Sequence, residues 1–260
     1  MLSDKELKEL IGSITDPDEK YWKGVLYGDY GKRKTTTGLR TSESRAILLH
    51  ADRGWNVVLN HPDEFSMPDK VIPIRYDSLT QIKAIVGAVV TNQEPFQDVD
   101  LIQLDTISQM QEKYIDFLGD NFTIFGREKA TPKPGSKEKE ITLTGLPDYH
   151  LTRNKMRPVV DLLVQAPVNV LFLAHVREPN AMEKQNGKLM RRPNVTEAVF
   201  NLLARDATFI GYMEAKRNEF TIDFTPSNTV CAKSQIPALT DKKIKAEELP
   251  KYLSNWKNGI

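Results

Sequence analysis

Apolar positions in this chain fall into short, nearly unbroken runs separated by stretches with helical spacing. Residues 46–51 (AILLHA), 71–76 (VIPIRY), 99–107 (VDLIQLDTI) and 168–175 (VNVLFLAH) each predict a strand, and Val25, Leu26 and Tyr27 predict one more within 22–28. Ile82, Ile85, Val86 and Val89 lie on one side of a helix predicted over 80–90. A second helix is expected near 108–118, and Val159, Val160, Leu162 and Leu163 mark a third that leads to Pro167. Strands that read as continuous apolar runs are covered on both faces, so the order predicts an α/β fold with a mainly parallel sheet between helices. The end of the chain differs. Residues 206–213, 219–225 and 229–233 read as strands joined by polar turns around Lys216 to Asn218 and Pro226 to Asn228, a C-terminal antiparallel meander. A short amphipathic helix interrupted by Pro250 is expected over 246–257.

Chemistry enters at the first of these strands. Residues 28–35 read GDYGKRKT and match the phosphate-loop pattern G-x-x-x-x-G-K-[ST] at Gly28, Lys34 and Thr35, with Arg33 where the second glycine belongs. Such a loop curls backbone N–H groups around a β-phosphate, while the lysine reaches the β and γ oxygens and the hydroxyl holds Mg²⁺. The candidate nucleotide contacts are therefore Gly28, Asp29, Tyr30, Gly31, Lys32, Arg33, Lys34, Thr35 and Thr36. A side chain at position 33 crowds the curl or demands a backbone angle that only glycine adopts freely. Three threonines and Gly38 make the following helix a weak one by propensity.

Open parallel sheets bind ligands at the carboxyl ends of their strands, where three further groups are expected. Asp52 could orient or deprotonate an attacking water, Asp105 could hold a metal shell together with Thr35, and His175 could sense a γ-phosphate. Each has a plainer alternative: Asp52 capping the turn into Arg53 and Gly54, Asp105 capping the helix at 108, and His175 as a satisfied core histidine.

Composition narrows the classes. The chain has 260 residues, 40% hydrophobic and 27% charged, enough for one domain with a substantial core. A net charge of +1 confines any nucleic-acid contact to local patches. The single cysteine, Cys231, permits no internal disulfide and reads as a buried structural thiol, while His50, His61 and His150 lack paired metal-ligand spacing. No run is long enough to span a membrane, and 1–13 lacks a signal-peptide core, so a soluble intracellular protein is expected.

The segments GDYGKRKTT, ILLHADRG, LIQLDTIS, VLFLAHVRE, RDATFIGYM and VCAKSQIP, in that order, resemble the RecA-like ATPases carried by phages and prophages, including those proposed to act in single-strand annealing or recombination. The resemblance covers about 20–240. It implies a RecA-like P-loop NTPase core as a single domain over 1–260, with ATP and Mg²⁺ bound at a subunit interface of a ring or filament. It implies Asp52 as catalytic base, His175 as the polar group ending the fifth strand, and Lys233 reaching a neighbour's γ-phosphate. Gln235 stands where related sequences often carry a second basic residue. The implied setting is the cytoplasm of a bacterial host, with single-stranded DNA and a single-strand binding protein as partners.

Two polar insertions, within 120–147 and 176–194, are the candidate DNA loops. The first holds 126–140, rich in lysine, proline and glycine and expected to be a mobile loop, with Phe122 and Phe125 flanking it as stacking or core residues. The second carries Arg177, Lys184, Lys188, Arg191 and Arg192 against Glu178 and Glu183. Phosphate contacts would provide most of its affinity. The plainer alternative is a solvated loop. At the level of function, the rival to a DNA-dependent ATPase is a non-hydrolysing nucleotide-binding module in a DNA-associated or structural assembly. A helicase loader or packaging motor would share the fold.

Overall fold

The structure, a computed structural model, describes residues 6, 20–51, 55–121, 129–130, 141–142, 146–217 and 219–260. Its centre is a mixed sheet of ten strands. The parallel part comprises β1 (Lys23–Gly28), β2 (Arg45–His50), β3 (Val71–Arg75), β4 (Val99–Asp105), β7 (Asn169–Arg177) and β9 (Phe209–Lys216). A small separate hairpin pairs β5 (Lys129–Ala130) with β6 (Ile141–Thr142). With β8 (Arg192–Pro193), β10 (Glu219–Asp223), β11 (Lys233–Ser234) and β12 (Lys243–Lys245), the main path runs β12-β10-β9-β1-β7-β4-β2-β3. The strand that carries the phosphate-loop motif is thus central.

Alternation within the apolar runs sorts the core into two layers. Val25, Tyr27, Ile47, Leu49, Ile102, Leu104, Phe172 and Ala174 face one side. There they meet helices α3 (Leu79–Val90), α4 (Ile107–Asn121), α5 (Leu146–Gln165) and α7 (Glu197–Asp206) through residues such as Ile82, Met110, Val160 and Leu203. Leu26, Leu48, Leu101, Leu171 and Leu173 face the other, against α1 (Lys34–Leu39), α2 (Asn56–Asn60) and α8 (Leu249–Lys257). Two buried layers explain why the strands lack a polar face. Helix α3 starts where the sequence allows it to, because the Ser78 side chain accepts from the Gln81 amide.

Helix α1 forms despite its composition because packing overrides propensity. Lys34, Thr37, Gly38 and Leu39 are buried, and Gly38 lets the helix press onto β4 and β7. A Cβ there would lie 2.1 Å from Gln103 Oε1 and 2.5 Å from Leu171 Cδ2.

The end of the chain departs from expectation. The strand expected over 206–213 begins at Phe209 instead, because Val199, Leu202 and Leu203 bury one side of helix α7 immediately before it. The strand expected over 229–233 shortens to Lys233–Ser234, and Lys243–Lys245 completes the meander on β10. The insertion at 176–194 is organised. Asn180 and Glu183 form a reciprocal capping box on the short helix α6 (Ala181–Gln185), and β8 folds back antiparallel on the end of β7. In the first insertion, β5 and β6 are paired; the rest of 126–140, with Phe122 and Phe125, lies outside the described residues.

Candidate nucleotide site

Strand register brings the candidate groups to one edge of the sheet. Gly28 pairs with His175 across β1 and β7, and His50 pairs with Asp105 across β2 and β4. Between β1 and α1 the chain turns through Gly31 at φ 69° and Arg33 at φ 58°, ψ 25°. Arg33 therefore occupies the left-handed region in which glycine is free and other residues are strained. The carbonyl of Arg33 accepts the Thr37 amide at 2.9 Å, so this residue opens the helix. Its guanidinium turns away from the loop and stacks 4.5 Å from the centre of the Phe220 ring on β10.

Lys34 and Thr35, the first two helical residues, diverge to different partners. The buried Lys34 ammonium donates to the carbonyls of Gly28 (2.9 Å) and Asp29 (2.7 Å). Burial holds its pKa below the ordinary lysine value, opposed by the nearby Asp105 and Asp29 carboxylates. The Thr35 hydroxyl donates to Asp105 Oδ2 at 2.6 Å, and the Gln103 amide bonds the Thr35 carbonyl at 3.2 Å. The wholly buried Gln103 thus fixes the helix start from beneath.

A hydroxyl and a carboxylate in contact, beside an ammonium held by loop carbonyls, fit magnesium and the phosphates it accompanies. Mg²⁺ prefers one or two protein oxygens, with phosphate and water completing its shell. Thr35 and Asp105 would hold it, and Lys34 would exchange its two carbonyl acceptors for phosphate oxygens.

Three further sequence-derived residues, His175, Asp52 and Lys233, differ in where they lie. His175 is buried; its amide donates to Ser108 Oγ at 3.1 Å, and its ring lies 4.2 Å from that of Tyr30, itself 77% exposed over the loop. Asp52 lies outside the described residues. Lys233 is not brought to this loop. It pairs with Ile210 near the start of β9, and its ammonium donates to the Ala204 carbonyl of helix α7 at 2.6 Å.

The five basic residues of the second insertion are not equivalent. Arg177 pairs with Glu183 and Arg191 with Glu178, both at 2.8 Å. Lys184 and Lys188 are exposed and Arg192 is partly so, alongside the exposed Met182, Leu189 and Met190. The hydroxyl of Tyr27, the next-to-last residue of β1, lies within hydrogen-bond distance of the carbonyls of Arg191 (3.1 Å) and Cys231 (2.9 Å) and donates its one proton between them. This tether joins the strand before the phosphate loop to the base of the insertion. Its signal in the sequence was only a tyrosine inside an apolar run. Cys231 is half-buried, and burial raises its thiol pKa.

Residues 20–236 match the family described as an AAA domain. Among solved structures, one ATPase domain is similar over 87% of this chain and 81% of its own length, at 10% sequence identity and a TM-score of 0.48. No curated protein sequence matches.

Proposed function

This chain belongs to the AAA domain family and has a RecA-like P-loop NTPase fold, and from that premise we propose that it binds MgATP, hydrolyses it at a subunit interface and promotes annealing or strand pairing on single-stranded DNA. The observation that carries the nucleotide half is the 2.6 Å contact between Thr35 and Asp105 beside the buried Lys34. Magnesium, when bound, neutralises charge on the β and γ oxygens. Lys34 adds an ammonium already stripped of water, which strengthens its attraction to phosphate. Asp52 takes the proton of the attacking water, and His175 at the end of β7 responds to the γ-phosphate. Lys233 serves a neighbouring subunit by leaving the Ala204 carbonyl for that subunit's nucleotide. Hydrolysis then depends on assembly into a ring or filament.

The DNA half is supported by the exposed Lys184 and Lys188 and the partly exposed Arg192, set among exposed apolar side chains on one insertion. These suit a phosphate backbone with bases laid against the apolar groups. The insertion leaves the strand that ends near His175, so nucleotide state and DNA grip share one element.

Steady-state ATP hydrolysis, with and without single-stranded DNA and across protein concentrations, tests the reading. Turnover should rise with DNA and more than linearly with protein, and Asp105→Ala should bind MgATP at least tenfold more weakly. Parental MgATP affinity in Asp105→Ala would refute the metal assignment. The strained Arg33 favours one alternative, a module that binds nucleotide to set its assembly without turning it over. A flat hydrolysis background under all conditions, with binding intact, selects that alternative.

A further inference from the structure

A phosphate loop holds only the phosphate chain, and the nucleoside must leave it on one side. The groups assigned to the metal and γ-phosphate, Asp105 and His175, stand on β4 and β7, to one side of β1 in the sheet order. The nucleoside therefore leaves on the opposite side, towards β9 and β10. There β9 continues to Lys216, beyond its last paired residue Tyr212 opposite Tyr27 of β1, and turns into β10 with Lys216 opposite Glu219. Between this projecting hairpin, Arg33 of the phosphate loop and the segment 245–247 lies an open cleft of about 730 Å³, lined by Arg33, Arg40, Lys216, Phe220, Lys245 and Glu247 among others. Its size lies within the range of small-molecule sites.

We infer that the base of the bound nucleotide lodges in this cleft against the Arg33–Phe220 stack, an inference that rests on the MgATP reading above. Phe220 is only partly buried, and with Arg33 at 4.5 Å it offers a planar apolar and cationic surface of the kind on which bases stack. Other charges around the cleft are partly spoken for: Lys245 lies 3.9 Å from Glu219, and Arg40 is held by both oxygens of Glu64. Lys216 and Arg217, exposed at the hairpin turn, also line the cleft and add positive charge to it. Arg33 then has a role its motif position does not announce. It gives up the glycine of the loop and supplies half of a base platform.

Calorimetric affinities of the full chain for MgATP and for magnesium tripolyphosphate separate the two readings. Phe220→Leu keeps apolar volume and removes the ring; Phe220→Ala is the harsher variant, and far-UV circular dichroism with a urea midpoint confirms that each is folded. The expected result is about tenfold weaker MgATP binding in Phe220→Leu with tripolyphosphate affinity within twofold of the parent. Unchanged MgATP affinity in that variant overturns the base site and leaves the phosphate reading standing. An equal loss for both ligands also overturns it, because Phe220 then only braces the loop. Parental protein that binds neither ligand overturns both readings.

Discussion

Replacing Gly38 by alanine tests whether the contact of helix α1 with the sheet builds the site. Ordinary helix propensity says that this change stabilises, by about 1 kcal/mol. The structure says the reverse. The new methyl would stand 2.1 Å from Gln103 Oε1 and 2.5 Å from Leu171 Cδ2, distances that real Cβ contacts do not reach. Gln103 is wholly buried and cannot swing aside without losing its bond to the Thr35 carbonyl. Overpacking costs about 1–3 kcal/mol, and the lost hydrogen bond about 1 kcal/mol more. Less the propensity gain, the net is a loss of about 1–3 kcal/mol, or roughly 2–12 °C in Tm for a chain of this size. Because α1 must lift or tilt, Thr35 should also separate from Asp105 and MgATP affinity should fall. Thermal and urea unfolding, followed by titration with MgATP, measure both effects. The internal comparison is Gly31→Ala, where no heavy atom lies within 4 Å and only φ +69° resists, at about 1–2 kcal/mol. A Gly38→Ala protein at least as stable as the parent, with parental MgATP affinity, would refute the packing argument.

Three more outcomes are expected. Arg33→Gly recovers left-handed strain of about 1–2 kcal/mol and loses a cation–π contact of about 0.5–1 kcal/mol. The net is a change between zero and a gain of about 1.5 kcal/mol in stability, while a more flexible loop alters nucleotide affinity and turnover; if both are unchanged, the account of the loop is wrong. Lys23 is buried with its ammonium on the carbonyls of Ala166 and Val168, and burial lowers its pKa from 10.5 to about 7. Between those values the unfolded chain holds a proton the native chain lacks, so unfolding free energy rises with pH from about 7 to 10.5 and the contribution is lost as pH falls through 7. Lys23→Met should flatten that slope in urea titrations run at successive pH values, and an unaltered slope argues against it. Alanine at Lys184, Lys188 and Arg192 together should reduce the salt dependence of single-strand binding by up to about three phosphate contacts, read as anisotropy against salt. An unaltered slope would remove this insertion from the DNA interface.

How much of this was legible in the sequence depends on the range of the interactions. Strand ends were legible in part: LIQLD stops at Asp105, which ends β4, whereas β7 runs two residues past the expected His175 to Arg177, and parallel pairing carries both residues to one edge. The strain at position 33 was legible too, since the motif assigns it to glycine and the backbone there has φ 58°. Helix α7 carried a signal in the spacing of Val199, Leu202 and Leu203, masked by the strand that follows at once. Other features had no local signal. Phe220 reaches the phosphate loop from a distant strand, and the Arg177–Glu183 and Arg191–Glu178 pairs depend on how the insertion folds on itself. Counting its charges overstates what it can offer to a ligand. Tyr27 bonds carbonyls far along the chain, which periodicity reports only as one more apolar position.

The central place of β1 has a consequence for how the protein is made. Both of its neighbours, β7 and β9, come from 169–216, so β1 has no sheet partner until those later residues have been made. On a ribosome, β2, β3 and β4 can pair while β1 and its loop wait as an unpaired edge. Closing the sheet around it is a long-range step, slow for reasons of chain entropy. The phosphate loop, synthesised well before the strands that flank β1, is then among the later elements to acquire its shape, and a nascent chain becomes able to bind nucleotide only after β7 and β9 have emerged.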